Sequence, residues 1–104
     1  MKTLTPGQFQ SFIQAPEVQV LDVRTQEESQ IASLPDSILL PLHELPAKAD
    51  QLDPNKAVAI YCHHGVRSEQ AGRFLIGQGF ENVVHLGGGI DAWSLEIDST
   101  VARY

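Results

Sequence analysis

The sequence predicts an α/β fold in which a mostly parallel sheet carries helices on both faces. Three observations point there. The runs Val18 to Val23, Ala57 to Cys62 and Val83 to Leu86 are short, largely apolar and show little polar alternation, as expected of strands buried on both faces. Stretches of helical periodicity lie between them. A strand that returns parallel to its neighbour needs such a crossover.

Thr5 and Pro6 open the first helix, with Thr5 as cap, Pro6 at the first helical position and Phe9, Phe12 and Ile13 on one face. Pro16 ends it. Val18 to Val23 follows as a strand, with Asp22 and Arg24 at its C-terminal end. Ile38 to Leu42 reads as a second short strand closed by Pro41, and His43 to Leu52 carries weak helical periodicity stopped by Asp53-Pro54. Ala57 to Cys62 is the next strand and leaves Cys62 at its C-terminal tip. Ser68-Glu69-Gln70 then begins a helix with Ala71, Phe74 and Leu75 on one side, ending at Gly77-Gln78-Gly79. After Val83 to Leu86, Gly87-Gly88-Gly89 leads into a short helix carrying Ala92 and Trp93. Residues 98–104 lack periodicity and are expected to form a surface tail on one domain spanning 1–104.

A chain of 104 residues suffices for one core and not for two ordinary domains. With 42% hydrophobic and 19% charged residues it is expected to fold without a metal or a disulfide. The net charge of −6 gives no electrostatic reason to bind nucleic acid or an anionic membrane. The lone cysteine excludes an intrachain disulfide, and Met1 to Pro6 lacks the apolar stretch of a signal peptide, so the expected location is a reducing cytoplasm. No apolar run approaches the ~18 residues that span a bilayer.

Ligands of open parallel sheets bind beyond the carboxyl ends of the strands, which is where the pattern puts Cys62. Four residues separate Cys62 from Arg67, so the chain must turn tightly and present successive backbone N–H groups to a common centre before the helix begins. Such a cradle holds an anion. A thiol at a helix N-terminus beside a guanidinium is favoured as the thiolate, its nucleophilic form. Two other readings compete. A cysteine ending a buried strand often serves only as a small hydrophobe, but the polar loop with Gly65, Arg67 and Ser68 argues against that here. Cys62, His63 and His64 as metal ligands are disfavoured because adjacent residues seldom converge on one tetrahedral ion, and His43 and His85 add no ligand spacing. The expectation is no metal and no cofactor.

Leu21-Asp22-Val23-Arg24, Leu40-Pro41-Leu42, Tyr61-Cys62-His63-His64-Gly65-Val66-Arg67-Ser68, Gly79-Phe80 with Val83, and Leu86-Gly87-Gly88-Gly89-Ile90-Asp91-Ala92-Trp93 follow one another along nearly the whole chain. In that order they resemble the rhodanese domain family. The resemblance implies a three-layer sandwich on a mostly parallel sheet of about five strands, with the catalytic cysteine at the bottom of the loop. Cys62 maps onto it. His63, His64, Gly65, Val66, Arg67 and Ser68 would then bind substrate, with Asp22 and Arg24 in support, where they could steer substrate but read more readily as an ion pair bracing the loop connections. The pattern differs where the family often has Gly-His-Ile-Pro-Gly-Ala and this chain has Ala32-Ser33-Leu34-Pro35-Asp36-Ser37. It differs again after the cysteine, where thiosulfate-using members often have Arg and this chain has His63.

The implied activity is sulfurtransfer: Cys62 takes a sulfane sulfur from a small donor such as thiosulfate or a persulfide and passes it to a thiol or cyanide. Loop N–H groups and Arg67 are expected to stabilise the anionic terminal sulfur. Alternatives are a sulfur-relay or regulatory module acting with a partner protein, and phosphatase or arsenate reductase chemistry, whose loops have one residue more. Gly87-Gly88-Gly89 with Ala92 superficially fits a dinucleotide fingerprint, but only twelve residues follow Ala92, too few for the rest of the unit. Those glycines read instead as a turn packed near the cysteine loop. Trp93 reads as core, and Tyr61 should point away from Cys62 by strand alternation.

Overall fold

Five parallel strands, β1 (Lys2–Leu4), β2 (Gln19–Asp22), β3 (Ile38–Leu39), β4 (Val58–Tyr61) and β5 (Val83–Leu86), form one sheet in the order β1-β5-β4-β2-β3. The structure is a computed structural model and describes residues 1–104. Its helices are α1 (Pro6–Phe12), α2 (Gln26–Ile31), α3 (Leu45–Lys48), α4 (Val66–Gly77) and α5 (Gly89–Glu96), with 3-10 turns at Leu42–Glu44 and Ala49–Gln51 on either side of α3. None of these helices is long and apolar enough to cross a membrane.

The pleat explains why the central strands lack polar alternation. Leu21, Val58 and Ile60 enter one apolar cluster with Leu45, Ala71 and Leu75, against α3 and α4. Their sequence neighbours Val20, Ala59 and Tyr61 enter a second cluster with Phe9, Ile90 and Trp93, against α1 and α5. Both faces are covered, so every residue of β4 and β5 is buried. Trp93 is a core residue, packed edge to face on Phe9 with centroids 6.3 Å apart.

Several boundaries differ from the sequence expectation. Strand β1 is an unpredicted edge strand of three residues, too short to carry a period. Helix α2 is also new: it buries no residue and so has no apolar face, although Thr25 and Glu28 form a complete capping box at its start. The strand expected over Ile38 to Leu42 shortens to two residues before Pro41, and the helix expected over His43 to Leu52 breaks into α3 and its flanking turns. Helix α4 starts at Val66, two residues earlier than Ser68. Beyond α5 the chain is mostly exposed, yet it is tied down: Ser94 Oγ donates to the Val101 carbonyl, and Arg103 pairs with Asp91 at 2.9 Å.

Candidate functional site

Between β4 and α4 the chain turns through Cys62, His63, His64 and Gly65, with Gly65 at φ +109°, a conformation that favours glycine. The turn brings the Gly65 N–H to 3.1 Å and the Ser68 N–H to 3.3 Å from Cys62 Sγ. Cys62 is 1% exposed, at the floor of the loop. The N–H groups of His63, His64, Val66 and Arg67 make no hydrogen bond within the protein, so the first turn of α4 and the loop before it offer further donors. The glycine run holds this loop from behind. Ile90 N–H donates to the Cys62 carbonyl at 2.9 Å and Asp91 N–H to that of His63 at 3.2 Å. Gly89, at φ +64°, lies so close that a Cβ there would overlap the His63 carbonyl.

Arg67, expected to face the sulfur, forks instead onto Glu28, with Nη1 and Nη2 at 2.6 and 2.9 Å from the two carboxylate oxygens. Hydrogen bonds from Arg67, aided by Tyr104, hold Glu28 well below the usual carboxylate range against the opposing effect of burial. Tyr104 donates to Glu28 at 2.6 Å and accepts from Arg24 at 2.9 Å. Burial, and the hydrogen bond to Glu28, push the Tyr104 hydroxyl up to about 12. Arg24 is fully buried and grips Asp22 with two parallel bonds of 2.9 Å. Burial alone would lower its pKa, but the bonds to Asp22 and Tyr104 outweigh that and raise it. Asp22 and Arg24 thus form a buried ion pair, and Arg24 lines a cleft together with Arg67 of the loop.

His63 is sandwiched between the rings of His64 and Tyr104, each 3.9 Å away centroid to centroid, and its Nε2 is buried without a partner. Burial, then the charge of His64, lowers its pKa, which favours the neutral ring. Tyr61 points away from Cys62 as alternation requires. Its hydroxyl donates to Asp22 at 3.1 Å and accepts from Leu34 N–H at 3.1 Å, so the divergent segment 32–37 is braced on the same network. Asp36 stands at φ +59° there, where the family pattern often has Gly.

On the opposite side, Ser68 Oγ lies 3.6 Å from Cys62 Sγ and 2.9 Å from His85 Nδ1. Glu28, Tyr104, His85 and Thr3 are absent from the site expected from sequence. Of these, only Glu28 carried a signal, the Thr25-x-x-Glu28 capping pattern. The other three are brought in by tertiary packing.

Residues 5–96 match the family model for the rhodanese-like domain. The chain belongs to the rhodanese-like domain family. Among its relatives, a protein named sulfurtransferase from Allochromatium vinosum is 38% identical over 75% of this chain and 73% of its own. The thiosulfate sulfurtransferase GlpE of Pseudomonas savastanoi pv. phaseolicola is 34% identical over 88% of this chain and 86% of its own. The crystal structure of a rhodanese-related protein from Thermoplasma volcanium superposes with a TM-score of 0.85 at 34% identity, covering 93% of this chain and 94% of that one. Three further relatives are longer, and the chain spans only 31%, 32% and 40% of them. Fold and relatives together support a sulfurtransferase role of the rhodanese type.

Proposed function

We propose that the protein moves a sulfane sulfur through a persulfide on Cys62. The Cys62 thiolate attacks the outer sulfur of the donor. A new S–S bond forms, the donor's own bond to that sulfur breaks, and the remainder leaves with the electron pair, as a thiolate or, from thiosulfate, as sulfite. An acceptor thiolate or cyanide then attacks the terminal sulfur of Cys62–S–S⁻ and regenerates the thiolate. The observation that carries this reading is the convergence of the Gly65 and Ser68 N–H groups on Sγ, with four more amides unpaired around the loop. Preorganised donors of this kind stabilise charge on a sulfur added beyond Sγ.

The surroundings favour a persulfide donor over thiosulfate. Arg67 is neutralised by Glu28, and His63 is held toward its neutral form, so little net positive charge faces a dianion. A relative named for thiosulfate keeps that donor as the alternative. The four-residue spacing from Cys62 to Arg67 suits one sulfur atom better than a tetrahedral oxyanion. A sulfur-relay partner as acceptor is compatible with the same chemistry, as is a reducing cytoplasm, where the thiol stays free. Intact mass is the test: a persulfide donor should add about 32 Da, removable by a reductant. Equal gain of mass by Cys62→Ser would sink the assignment.

A further inference from the structure

One chain of polar groups leads away from the nucleophile, buried up to its exposed Thr3 end, and its Ser68 hydroxyl, His85 ring and Thr3 hydroxyl have no part in the transfer steps above. It starts at Cys62 Sγ, continues through Ser68 Oγ at 3.6 Å and His85 Nδ1 a further 2.9 Å away, and ends where His85 Nε2 meets Thr3 Oγ1 at 2.9 Å. It therefore links the loop, α4, β5 and β1. Ser68 is 0% and His85 3% exposed. A histidine in an otherwise apolar buried strand has both ring nitrogens occupied, one of them by the hydroxyl that touches the cysteine sulfur.

We propose that His85 is a positioning residue of this site which, acting through Ser68, receives the proton that the Cys62 thiol releases and keeps it beside the thiolate. With Nε2–H donating to Thr3, the Nδ1 lone pair of the neutral ring faces Ser68. The Ser68 hydroxyl has one hydrogen and three neighbours, Nδ1, Sγ and the Gly65 carbonyl at 3.1 Å, so it can accept from one side while donating to another. On ionisation the S–H bond breaks and its electron pair stays on sulfur. That proton passes to the Ser68 oxygen as the serine's own proton passes to Nδ1, and no electron changes owner. Net charge in the buried site is unchanged, because a neutral pair becomes an ion pair.

The groups facing His85 fit this role. Burial lowers its pKa while Glu69 on α4 acts in the opposite sense, so an imidazolium there depends on a negative partner. Glu69 and His64 line the same cleft of about 440 Å³. Strand β1 contributes only the Thr3 hydroxyl, β4 the apolar Ile60 in register, and the charge of Arg67 is tied to Glu28. The proton path rests on Cys62 being the nucleophile, and its test uses no sulfur donor, so either reading can fail alone.

The experiment is the rate of Cys62 alkylation by iodoacetamide, read by intact mass from about pH 5 to 10, for wild type, His85→Asn and Ser68→Ala. Asparagine can still accept from the Ser68 hydroxyl but cannot take up a proton. The midpoint of the His85→Asn profile should move up by about one pH unit, slowing alkylation by up to about tenfold at pH values below the wild-type midpoint, with the same plateau at high pH. Ser68→Ala should shift similarly and the double variant no further. A His85→Asn profile that overlays wild type overturns the proposal. Should that variant not fold, the His85 ring can be titrated by nitrogen NMR in wild type before and after Cys62 alkylation. Its midpoint should fall once the thiolate is gone, and an unmoved midpoint is equally decisive against the proposal.

Discussion

The two flanks of the cysteine loop are built from different chemistry. On one side stand two arginines, two carboxylates and a tyrosine: Arg24 and Arg67 against Asp22 and Glu28, with Tyr104 bridging them. On the other the hydrogen-bonded series itself is built of neutral groups, Ser68, His85 and Thr3, with Glu69 acting on the ring across the cleft. The charged flank closes on itself, each guanidinium matched by a carboxylate within it, and it ties α2, the end of β2 and the chain end to the first turn of α4. The neutral flank ends on the sulfur. The loop arginine is thus engaged in holding the architecture, and the groups that donate directly to the sulfur are the Gly65 and Ser68 backbone N–H groups.

The largest effect expected from breaking this contrast is on stability. Asp22→Asn removes the carboxylate from a fully buried Arg24 and leaves an uncompensated charge, which costs about 3–5 kcal/mol. That is a large share of the roughly 5–15 kcal/mol that holds a domain folded. At 4–8 °C per kcal/mol the melting temperature should drop by about 12 °C or more. Replacing the pair together, Asp22→Asn with Arg24→Met, should recover much of the loss, since no charge is then stranded. A single variant that melts within a few degrees of wild type would show that the charged flank is not the brace it looks like.

Glu28→Gln tests the same flank more gently. It weakens a forked charge-assisted bond and the bond from Tyr104, for a loss of about 1–3 kcal/mol at neutral pH. The pH dependence has a definite sign. Because folding lowers the Glu28 pKa, its contribution is present above the unfolded value near 4.3 and is lost as pH falls below that. His63 and His85 are also lowered, so their contributions are present above about 6.5 and fade on acidification from there. Chemical denaturation from pH 7 to 3 should therefore show Glu28→Gln keeping the upper fall and losing part of the lower one. In the same variant Arg67 is released, and thiosulfate kcat/KM should rise several-fold.

The sheet-level plan was readable because the apolar runs are short and rich in β-branched residues, which favours strands covered on both faces over buried helices. Val58 and Ile60 go one way and Ala59 and Tyr61 the other, and none of the four is polar enough to face water. Cys62, its loop and the packing of Gly89 behind it were readable for a related reason: tight turns and close approaches demand particular residues. What escaped was whatever depended on partners distant in sequence. Glu28 lies 39 residues from Arg67 and Tyr104 lies 76 residues from Glu28, so nothing local marks either as part of the site. The pairing of Arg67 is hidden on the same ground, since its neighbours in sequence say nothing of the carboxylate that it grips. His85 sits inside a strand run whose local message is burial, and only the fold shows that its ring reaches Ser68.

The smallest expected effect, and the sharpest comparison of donors, comes from His63, which lies against Tyr104 where the charged flank meets the loop. Its ring favours the neutral form at neutral pH because burial and the charge of His64 oppose protonation. His63→Arg places a permanent charge there, and a planar guanidinium can keep the stack on Tyr104. Part of the gain is cancelled, because Glu28 and Asp91 both act electrostatically on this position and would attract the new cation. A partly solvated interaction of about 1 kcal/mol or less remains for the donor, which is up to roughly fivefold in kcat/KM. Thiosulfate, a dianion, should gain most of it, and a persulfide, with less charge on the reacting end, should gain less. Raising the salt concentration should shrink the difference, since the interaction lies near the surface. Steady-state kinetics with both donors at low and high salt provides the check: equal gains, or none for thiosulfate, would remove charge at position 63 from donor choice.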